Sequence, residues 1–286
     1  TLDDSGPKRS LDMASQALVT SLAPYGARVL ASYETAHGAA SEVLEMLSLL
    51  YNGEQKPVLV PPEGTDLGHH VPYTRVSFGL DAIETAGSNW RNFSGILGVK
   101  EYPPTTRAGI LDAVLRLNCE CVLTESYAPL ERQIARERMD LAIRRLRAVD
   151  DDTATERREM LLAKDALVSG QTAFGNHHLS LLVRAPSLAQ LDASVAEAAN
   201  SLGETGAVIV REDINLEPAF WAQFPGNEAD AVRRALISTG NAAGFMSLHG
   251  FALGRAEGNH WGPAVCLLET TAATPYFFNF HAGDLG

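Results

Sequence analysis

The chain has 286 residues, of which 45% are hydrophobic and 20% charged, and its formal net charge is -12. This length and composition are those of a globular protein with a sizeable core, which excludes a disordered chain. The acidic balance argues against broad nucleic-acid binding, because phosphates repel an acidic surface unless basic residues cluster locally.

Residues 1–72 are predicted to form an N-terminal helical region followed by a linker. Apolar residues at helical spacing predict one helix between residues 10 and 24 and a second from Tyr33 to about Tyr51, which Asn52 and Gly53 end. The loop at residues 57–72 is rich in Pro and Gly, so we place the boundary of the first region there.

Residues 73–212 are predicted to form an α+β domain with a ferredoxin-like sheet. Strands are expected at residues 75–85, 92–101, 119–127, 178–184 and 207–211. The turn at residues 86–89 joins the first two strands as a hairpin, and helices are expected at about 105–117 and 187–202. The order from Phe93 onward is strand, helix, strand, helical insertion, strand, helix, strand, which is the split order of a ferredoxin-like fold.

The helical insertion, residues 129–170, is predicted to be a pair of antiparallel helices, with one bent helix as the alternative. Asp150, Asp151 and Asp152 interrupt its apolar pattern. The insertion is also basic, with arginines at positions 132, 136, 138, 144, 145 and 147. Such a stretch is typical of a solvated helix face, with Asp140 and Arg144 at paired spacing; a surface for DNA or acidic lipid is the alternative.

Residues 213–286 are predicted to form an aromatic-rich connecting segment. A short helix is expected at 216–224 and strands at 265–270 and 276–280. The segment ends on a glycine-rich turn directly after a strand, so we expect a truncated chain that continues into a further domain. The candidate interaction residues, with core packing as the alternative for each, are Phe220, Trp221, Phe224, Trp261, Tyr276 and Phe280.

Known catalytic motifs are missing from the sequence. A P-loop needs Gly-Lys followed by Ser or Thr, and none of the lysines has that context; they are Lys8, Lys56, Lys100 and Lys164. The sequence contains no Gly-x-Ser-x-Gly nucleophile elbow, and Cys119 and Cys121 are predicted to be packing thiols on one face of a strand. We therefore assign no catalytic, cofactor-binding or metal-binding residue.

Histidines supply the alternative of a stand-alone metal-dependent or hydrolytic enzyme. The adjacent pairs His69–His70 and His177–His178 point to opposite sides of the backbone on a strand, so neither is an evident chelate. The enzyme hypothesis instead requires three distant side chains to converge, namely His249, His260 and His281.

Five motifs in chain order resemble the CagE/TrbE/VirB family of type IV secretion and conjugation ATPases. Residues 220–227 (FWAQFPGN), 258–264 (GNHWGPA) and 274–281 (TPYFFNFH) resemble the family elements FWAQLPGN, GNHWGPA and TPYYFNFH. Residues 97–103 (LGVKEYP) and 175–182 (GNHHLSLL) resemble LGIKEYP and GEHHLSLLV. In that family the next residues enter the Walker A loop.

The resemblance implies that the chain is the N-terminal docking and coupling region of a type IV secretion ATPase. Such ATPases energise assembly of the channel and pilus and the transfer of DNA or protein. ATP and Mg²⁺ are expected in a RecA-like motor after residue 286, so this segment alone should hydrolyse no ATP. Expected partners are other inner-membrane secretion components, the motor domain itself and a second copy in a homo-oligomer. The expected location is peripheral, at the cytoplasmic face of the bacterial inner membrane, without a transmembrane segment.

Overall fold

The computed structural model describes residues 5–25, 27–148, 154–246, 252–270 and 274–280. Its helices and antiparallel sheets confirm the predicted α+β class. The contacts between Cα atoms divide the chain into two units, Thr1–Arg75 and Val76–Gly286. None of the described helices is both long and apolar enough to cross a bilayer.

Within the described residues of the first unit there are three helices and a small hairpin. The helices are α1 (Ser5–Ser21), α2 (Glu42–Asn52) and α3 (Leu67–His70), and a 3-10 turn spans Ala23–Tyr25. The strands β1 (Ser32–Thr35) and β2 (Gly38–Ser41) pair antiparallel. The prediction of a helix from Tyr33 was therefore wrong over its first half, because Gly38 has a φ of 124° that belongs to a turn and not to a helix. Gly53, with a φ of 76°, ends α2 as predicted.

Asn52 holds the end of α2 to the chain that follows it. Its side chain is fully buried, and its Nδ2 donates to Ser48 Oγ and to the carbonyl of Val71, both at 3.0 Å. Its Oδ1 accepts from the backbone N–H groups of Tyr73 and Thr74 at 3.0 and 3.2 Å. A buried amide with both ends satisfied fixes the path of the linker at little cost in desolvation.

The second unit is built on a sheet with strand order β3-β4-β5-β7-β6, in which β8 also pairs with β5 and β9 with β7. The strands are β3 (Arg75–Phe78), β4 (Ile83–Ala86), β5 (Arg91–Glu101), β6 (Glu120–Pro129), β7 (Phe174–Ala185), β8 (Val208–Arg211) and β9 (Ala235–Ser238). The strand predicted at 75–85 is in fact β3 and β4, since the N–H of Gly79 bonds to the carbonyl of Ala82 at 2.8 Å and closes a turn. The predicted hairpin between β4 and β5 is confirmed.

Of the two connections that were predicted to be helices, one forms a helix and the other does not. Between β7 and β8, α6 (Leu188–Gly203) forms as predicted, and Ser187 caps it by accepting from the N–H of Gln190 at 3.3 Å. Between β5 and β6 the helix predicted at 105–117 was wrong, because the chain makes turns and one 3-10 helix at Val114–Arg116. Gly109 has a φ of 77°, which a right-handed helix cannot contain.

The main core lies between α6 and the middle of the sheet. Leu191, Val195 and Leu202 of α6 are nearly inaccessible to solvent and share one cluster with Leu181 and Val183 of β7. Their spacing of four and seven positions is that of one helical face, and alternate residues of β7 point toward it. Burial of this apolar stripe positions the sheet on which the C-terminal segment is built.

The insertion is a helical hairpin, which confirms the prediction of a pair of helices over the alternative of one bent helix. It consists of α4 (Arg132–Ala148) and α5 (Ala154–Val168), and Lys164 Nζ lies 2.5 Å from Asp140 Oδ1 across the pair. Met139 and Leu167 form a second apolar cluster with Phe174 of β7. The interrupting aspartates at 150–152 lie outside the described residues.

Besides β9, the described part of the last quarter of the chain contains two α-helices and one further hairpin. They are α7 (Leu216–Trp221), α8 (Thr239–Phe245) and a separate antiparallel hairpin of β10 (Cys266–Glu269) and β11 (Pro275–Phe278). A 3-10 turn spans Glu228–Asp230. The short aromatic helix and the two late strands were predicted, whereas β9 and α8 were not.

We expect the substitution Leu167→Ala to reduce the free energy of unfolding by about 2–5 kcal/mol, because it leaves a cavity between the helical hairpin and β7. Leu162→Ala on the same helix is the matched control, since its side chain is 60% exposed and should change stability by about 0.5 kcal/mol or less. Urea denaturation followed by circular dichroism measures both. Equal losses for the two variants would contradict the packing described for α5.

Candidate functional site: the C-terminal aromatic segment

The aromatic residues of α7 are packed into the second unit. Phe220 is 2% exposed, and its ring meets Phe78 edge-on with centroids 5.4 Å apart. Trp221 and Phe224 are half-buried and lie 5.2 and 5.9 Å from Phe220. Because its side chain is in the core, Phe220 is not available to a partner, and its prediction as an interaction residue is corrected to a packing role. Trp221 and Phe224 keep part of their surface accessible.

The hairpin of β10 and β11 is exposed in a way that the main sheet is not. All four residues of β10 are exposed, including Leu267 at 61% and Leu268 at 48%. Phe280, just after β11, is 73% exposed and its ring lies 5.3 Å from that of Phe278. Two-stranded hairpins are marginal in water on their own, so an apolar surface of this kind is typical of an element that packs against something else.

The remaining predicted interaction residues lie in or beside this hairpin. Tyr276 is on β11 and half-buried, and Trp261 is 74% exposed in the turns that precede β10. Of the predicted residues, Trp261, Tyr276 and Phe280 thus belong to one exposed segment. Trp221 belongs to a different element, α7, and Phe224 lies in the turn directly after it.

A close backbone contact fixes the entry to the hairpin. The N–H of Phe277 donates to the carbonyl of Leu253 at 2.8 Å, and Gly254 forms a parallel bridge with Phe277. A Cβ at Gly254 would lie 2.0 Å from the carbonyl oxygen of Phe277, and its φ is 67°. Only glycine satisfies both constraints, so this position holds the preceding loop against β11.

A buried ion pair ties the segment after α7 to the main sheet. The carboxylate of Glu212, 1% exposed, accepts from Nε and Nη2 of Arg233, the second at 3.1 Å. This pairing raises the pKa of Arg233 above its ordinary value. Gly98 of β5 makes the room, because a Cβ there would lie 2.2 Å from Glu212 Oε1. A buried carboxylate without its cation would be very costly, so Arg233 fixes the chain just before β9.

A second polar cluster holds α8 against the edge of the sheet. His177 of β7 is 1% exposed, its Nδ1 lies 2.8 Å from Tyr102 Oη, and its ring stacks on Phe245 of α8 at 5.3 Å. Its Nε2 lies 3.9 Å from Glu125 Oε2. Burial, with the nearby charge of Glu125, raises the pKa of Tyr102 far above its ordinary value. The cluster is enclosed by the core, so its role is to anchor α8.

The described residues do not favour a metal site at the histidines or a reactive thiol at the cysteines. His249 and His281 lie outside the described residues, and among the rest no group of three or more His, Cys, Asp or Glu side chains is placed to hold a metal ion. Cys119 and Cys121 are half-buried thiols beside the main core, and burial raises the pKa of Cys119 to about 11, which keeps it protonated.

The residues that sequence reasoning missed are the anchors of the C-terminal segment. Glu212 and Arg233 carry no local pattern, since α7 and a 3-10 turn separate them in the sequence and only the fold brings them together. A usable signal existed for α8, because Ser238 caps it by accepting from the N–H of Asn241 at 3.1 Å, which the order Ser-Thr-Gly-Asn permits. The described residues thus form an α+β protein in which Arg233 and α8 are anchored to the main sheet and a separate hairpin, β10–β11, exposes apolar side chains.

The chain belongs to the CagE, TrbE, VirB family, described as a component of type IV transporter system, because the model of that family matches residues 28–233. This confirms the resemblance drawn from the motifs. The match includes both anchors, Glu212 with Arg233 and His177 with Tyr102.

Individual relatives agree with the family. The chain is 38% identical to a "Type IV secretion system protein virB4" of Bartonella henselae, over 97% of this chain and 35% of the relative. It is 33% identical to a "Protein virB4" of Agrobacterium tumefaciens, over 99% of this chain and 36% of the relative. It is 31% identical to "Type IV secretion system protein PtlC" of Bordetella pertussis, over 86% of this chain and 30% of the relative. The chain thus spans about a third of the length of these relatives.

We expect Arg233→Ala to reduce the free energy of unfolding by about 3–5 kcal/mol, because it leaves the carboxylate of Glu212 buried without a cation. The double substitution Glu212→Leu with Arg233→Met should cost less than the single one, since both charges are removed together. Chemical denaturation of the variants measures the difference.

The matched control for the ion pair is Arg91→Ala. Arg91 lies 3.6 Å from Glu84 and its side chain is 65% exposed, so its loss should cost about 1 kcal/mol at most. A double variant less stable than Arg233→Ala would show that Glu212 is not held by this pair.

Acid should destabilise the protein through His178. This side chain is 2% exposed, and burial, with His177 and Arg234 nearby, lowers its pKa to about 4. Unfolded histidine has a pKa of about 6.5, so between these values the unfolded chain binds the extra proton and the free energy of unfolding falls as the pH is lowered. The full loss through His178 is about 3 kcal/mol.

The pH dependence of unfolding in His178→Asn tests this effect. The variant should lose less stability than the parent between pH 6.5 and 4, whereas the exposed control His69→Asn should follow the parent. Parallel curves for the parent and His178→Asn would refute the assignment.

Proposed function

We propose that this chain is the docking and coupling region of a type IV secretion ATPase and that it hydrolyses no ATP by itself. Its family and its virB4 and PtlC relatives support the type IV secretion role. The observation that carries the docking part is the exposed apolar hairpin, above all Leu267, Leu268 and Phe280. The sequence offers no Gly-Lys-Ser or Gly-Lys-Thr for a P-loop, which supports placing ATP and Mg²⁺ elsewhere.

The energetics of the hairpin favour a covering partner. Complete burial of a Leu or Phe side chain is worth about 1.5–3 kcal/mol, so the exposed residues of the hairpin represent several such contributions. Trp261 and Tyr276 extend the same surface, and aromatic residues of this kind are frequent anchors of interfaces. The proposed occupant is a RecA-like motor domain in the part of the relatives' length that this chain does not span.

The anchors described above suit a coupling role. The Glu212–Arg233 ion pair and the stack of His177 on Phe245 join residues 233–245 to the main sheet. Residues fixed in this way would pass a displacement of the motor on to the α+β unit with less loss than an unanchored linker. The finer organisation is part of the proposal, with regions at 1–72, 73–212 and 213–286. The strand order β8-β5-β7-β6 supports a ferredoxin-like arrangement.

The proposed setting is the cytoplasmic face of the bacterial inner membrane, where the protein would act peripherally. Its partners there would be other inner-membrane components of the secretion system, a second copy in a homo-oligomer and its own motor. Channel and pilus assembly and the transfer of DNA or protein would be driven by the motor, with this region passing on the motion.

ATP turnover tests the division of labour. The 286-residue chain and a version extended to the length of the relatives are assayed with Mg²⁺ and ATP. We expect no turnover by the shorter chain and clear turnover by the longer one. Persistent turnover by the shorter chain through further purification would overturn the proposal, as would inactivity of a folded longer chain.

The hairpin is tested in the extended version by Leu267→Asp. The buried charge should weaken docking of the motor, so we expect faster limited proteolysis between the two parts and lower ATP turnover. Ile214→Asp, at a side chain that is 88% exposed and outside the hairpin, is the matched control and should behave as the parent. Unchanged proteolysis in Leu267→Asp would remove the hairpin from the docking surface.

A further inference from the structure

An apolar groove lies between the helical hairpin and the edge of the main sheet. It has a volume of about 840 Å³, which is within the range of sites that hold a ligand or a peptide segment. Its apolar lining comes from α4, α5, β7 and β9, namely Met139, Leu141, Ala142, Met160, Ala163, Phe174 and Leu236. None of these residues belongs to the β10–β11 hairpin, so the groove is a surface distinct from the one discussed above.

Charged side chains at the groove are distributed unevenly. Arg138 and Arg145 line it from α4 and are exposed, whereas Glu159 lines it from α5. Arg138 Nη1 donates to Asn176 Oδ1 at 2.8 Å, which holds the guanidinium against β7. The two arginines are seven positions apart, which is two helical turns or about 10.5 Å along α4. One wall of the groove is therefore basic, within a chain whose net charge is -12.

The opposite side of the helical hairpin has another character. It presents Glu137, Asp140, Arg144 and Lys164, and the Asp140–Lys164 ion pair balances charge there. Arg144 Nε also donates to the carbonyl of Asp140 at 3.3 Å. Sequence neighbours Arg144 and Arg145 thus lie on different sides of α4, one on a polar side and one beside the groove. This pair provides a matched control within a single helix.

We propose that the groove binds an acidic amphipathic helix of another protein, with its apolar face on the groove floor and its carboxylates on Arg138 and Arg145. Methionines such as Met139 and Met160 adapt their shape to an apolar helix face, as in other helix-binding grooves. The separation of the arginines selects carboxylates seven positions apart on the ligand helix. Glu159 on the opposite wall disfavours carboxylates along the second edge of that helix.

The shape of the site favours a helix over a lipid surface. Met139 and Phe174 on the floor are 4% and 6% exposed, so contact with them requires an element that enters the groove. A bilayer meets the convex face of an amphipathic helix and does not reach such a floor. This inference deepens the proposed docking role by naming the class of partner, and it involves only groove residues, so its failure leaves the hairpin test unaffected.

Fluorescence anisotropy with two labelled synthetic peptides tests the proposal on the purified 286-residue chain. Both peptides have about 18 residues, roughly five helical turns, and the same Leu/Ala face. One carries Glu pairs seven positions apart along one edge, and the other carries Lys at those positions. We expect the acidic peptide to bind about tenfold more tightly than the basic one. Equal affinities would overturn the proposal.

Charge reversal on α4 then locates the binding. Arg145→Glu should weaken binding of the acidic peptide about tenfold and strengthen binding of the basic one, whereas Arg144→Glu should change either affinity by less than about twofold. Both residues are exposed, so neither variant is expected to disturb folding, which thermal melts verify. Equal effects of the two reversals would contradict binding in the groove.

The other occupants give distinct results. One such result is sedimentation with phosphatidylglycerol vesicles that Arg144→Glu and Arg145→Glu weaken equally, together with equal binding of the two peptides. It would assign the basic helix to a lipid surface and overturn the proposal. Concentration-dependent self-association abolished by Arg145→Glu, again without discrimination between the peptides, would assign the groove to a second copy and overturn it as well. Ala142→Phe narrows the groove. Loss of acidic-peptide binding in this variant, with an unchanged melting temperature, would support the proposal.

Discussion

The rest of the second unit depends on the complete enclosure of β7. This strand of 12 residues is buried along nearly its whole length, with β6 on one edge and β5 and β9 in succession on the other. A strand enclosed on both edges and both faces must satisfy every backbone group through its neighbours, which sets the register of three other strands. Alternate side chains of β7, Leu181 and Val183 among them, pack with α6, while Phe174 at the start of the strand supports the helical hairpin. The strand β7 therefore supports the main core, the helical hairpin and the attachment of the C-terminal segment.

Polar anchors at this support determine where the last quarter of the chain lies. Arg233 is fixed by the buried carboxylate of Glu212, and two residues later the chain enters β9 and pairs with the start of β7. Phe245 then stacks on His177 of the same strand. Buried polar contacts contribute modestly to net stability, but they penalise alternative arrangements strongly because an unpaired partner stays buried. They therefore specify the path of the segment more than they stabilise it.

The two apolar surfaces of this unit are suited to different occupants. The β10–β11 hairpin presents an exposed apolar strand, Leu267 and Leu268 among its residues, which matches an interface with a large domain. The groove beside α4 is concave and has a basic wall, which matches a single helix with a complementary edge. Under the proposed docking role, the hairpin would contact the motor domain and the groove would contact a helix of a partner.

The sequence by itself determined the features that arise from residues a few positions apart. The stripe of Leu191, Val195 and Leu202 with the cap at Ser187 predicted α6, the long helical pattern predicted the α4–α5 hairpin, and the ordered motifs predicted the family.

Only the tertiary structure decided that 105–117 is not a helix, that residues 32–41 form a hairpin and that β9 exists, because strand pairing and positive φ angles outweigh local propensity. The groove could not be predicted from the sequence either, since Met139, Phe174 and Leu236 meet only after the sheet has brought distant parts of the chain together. Among the predicted interaction residues, only the tertiary structure separated Phe220, which is buried in the core, from Trp261 and Phe280 at the surface.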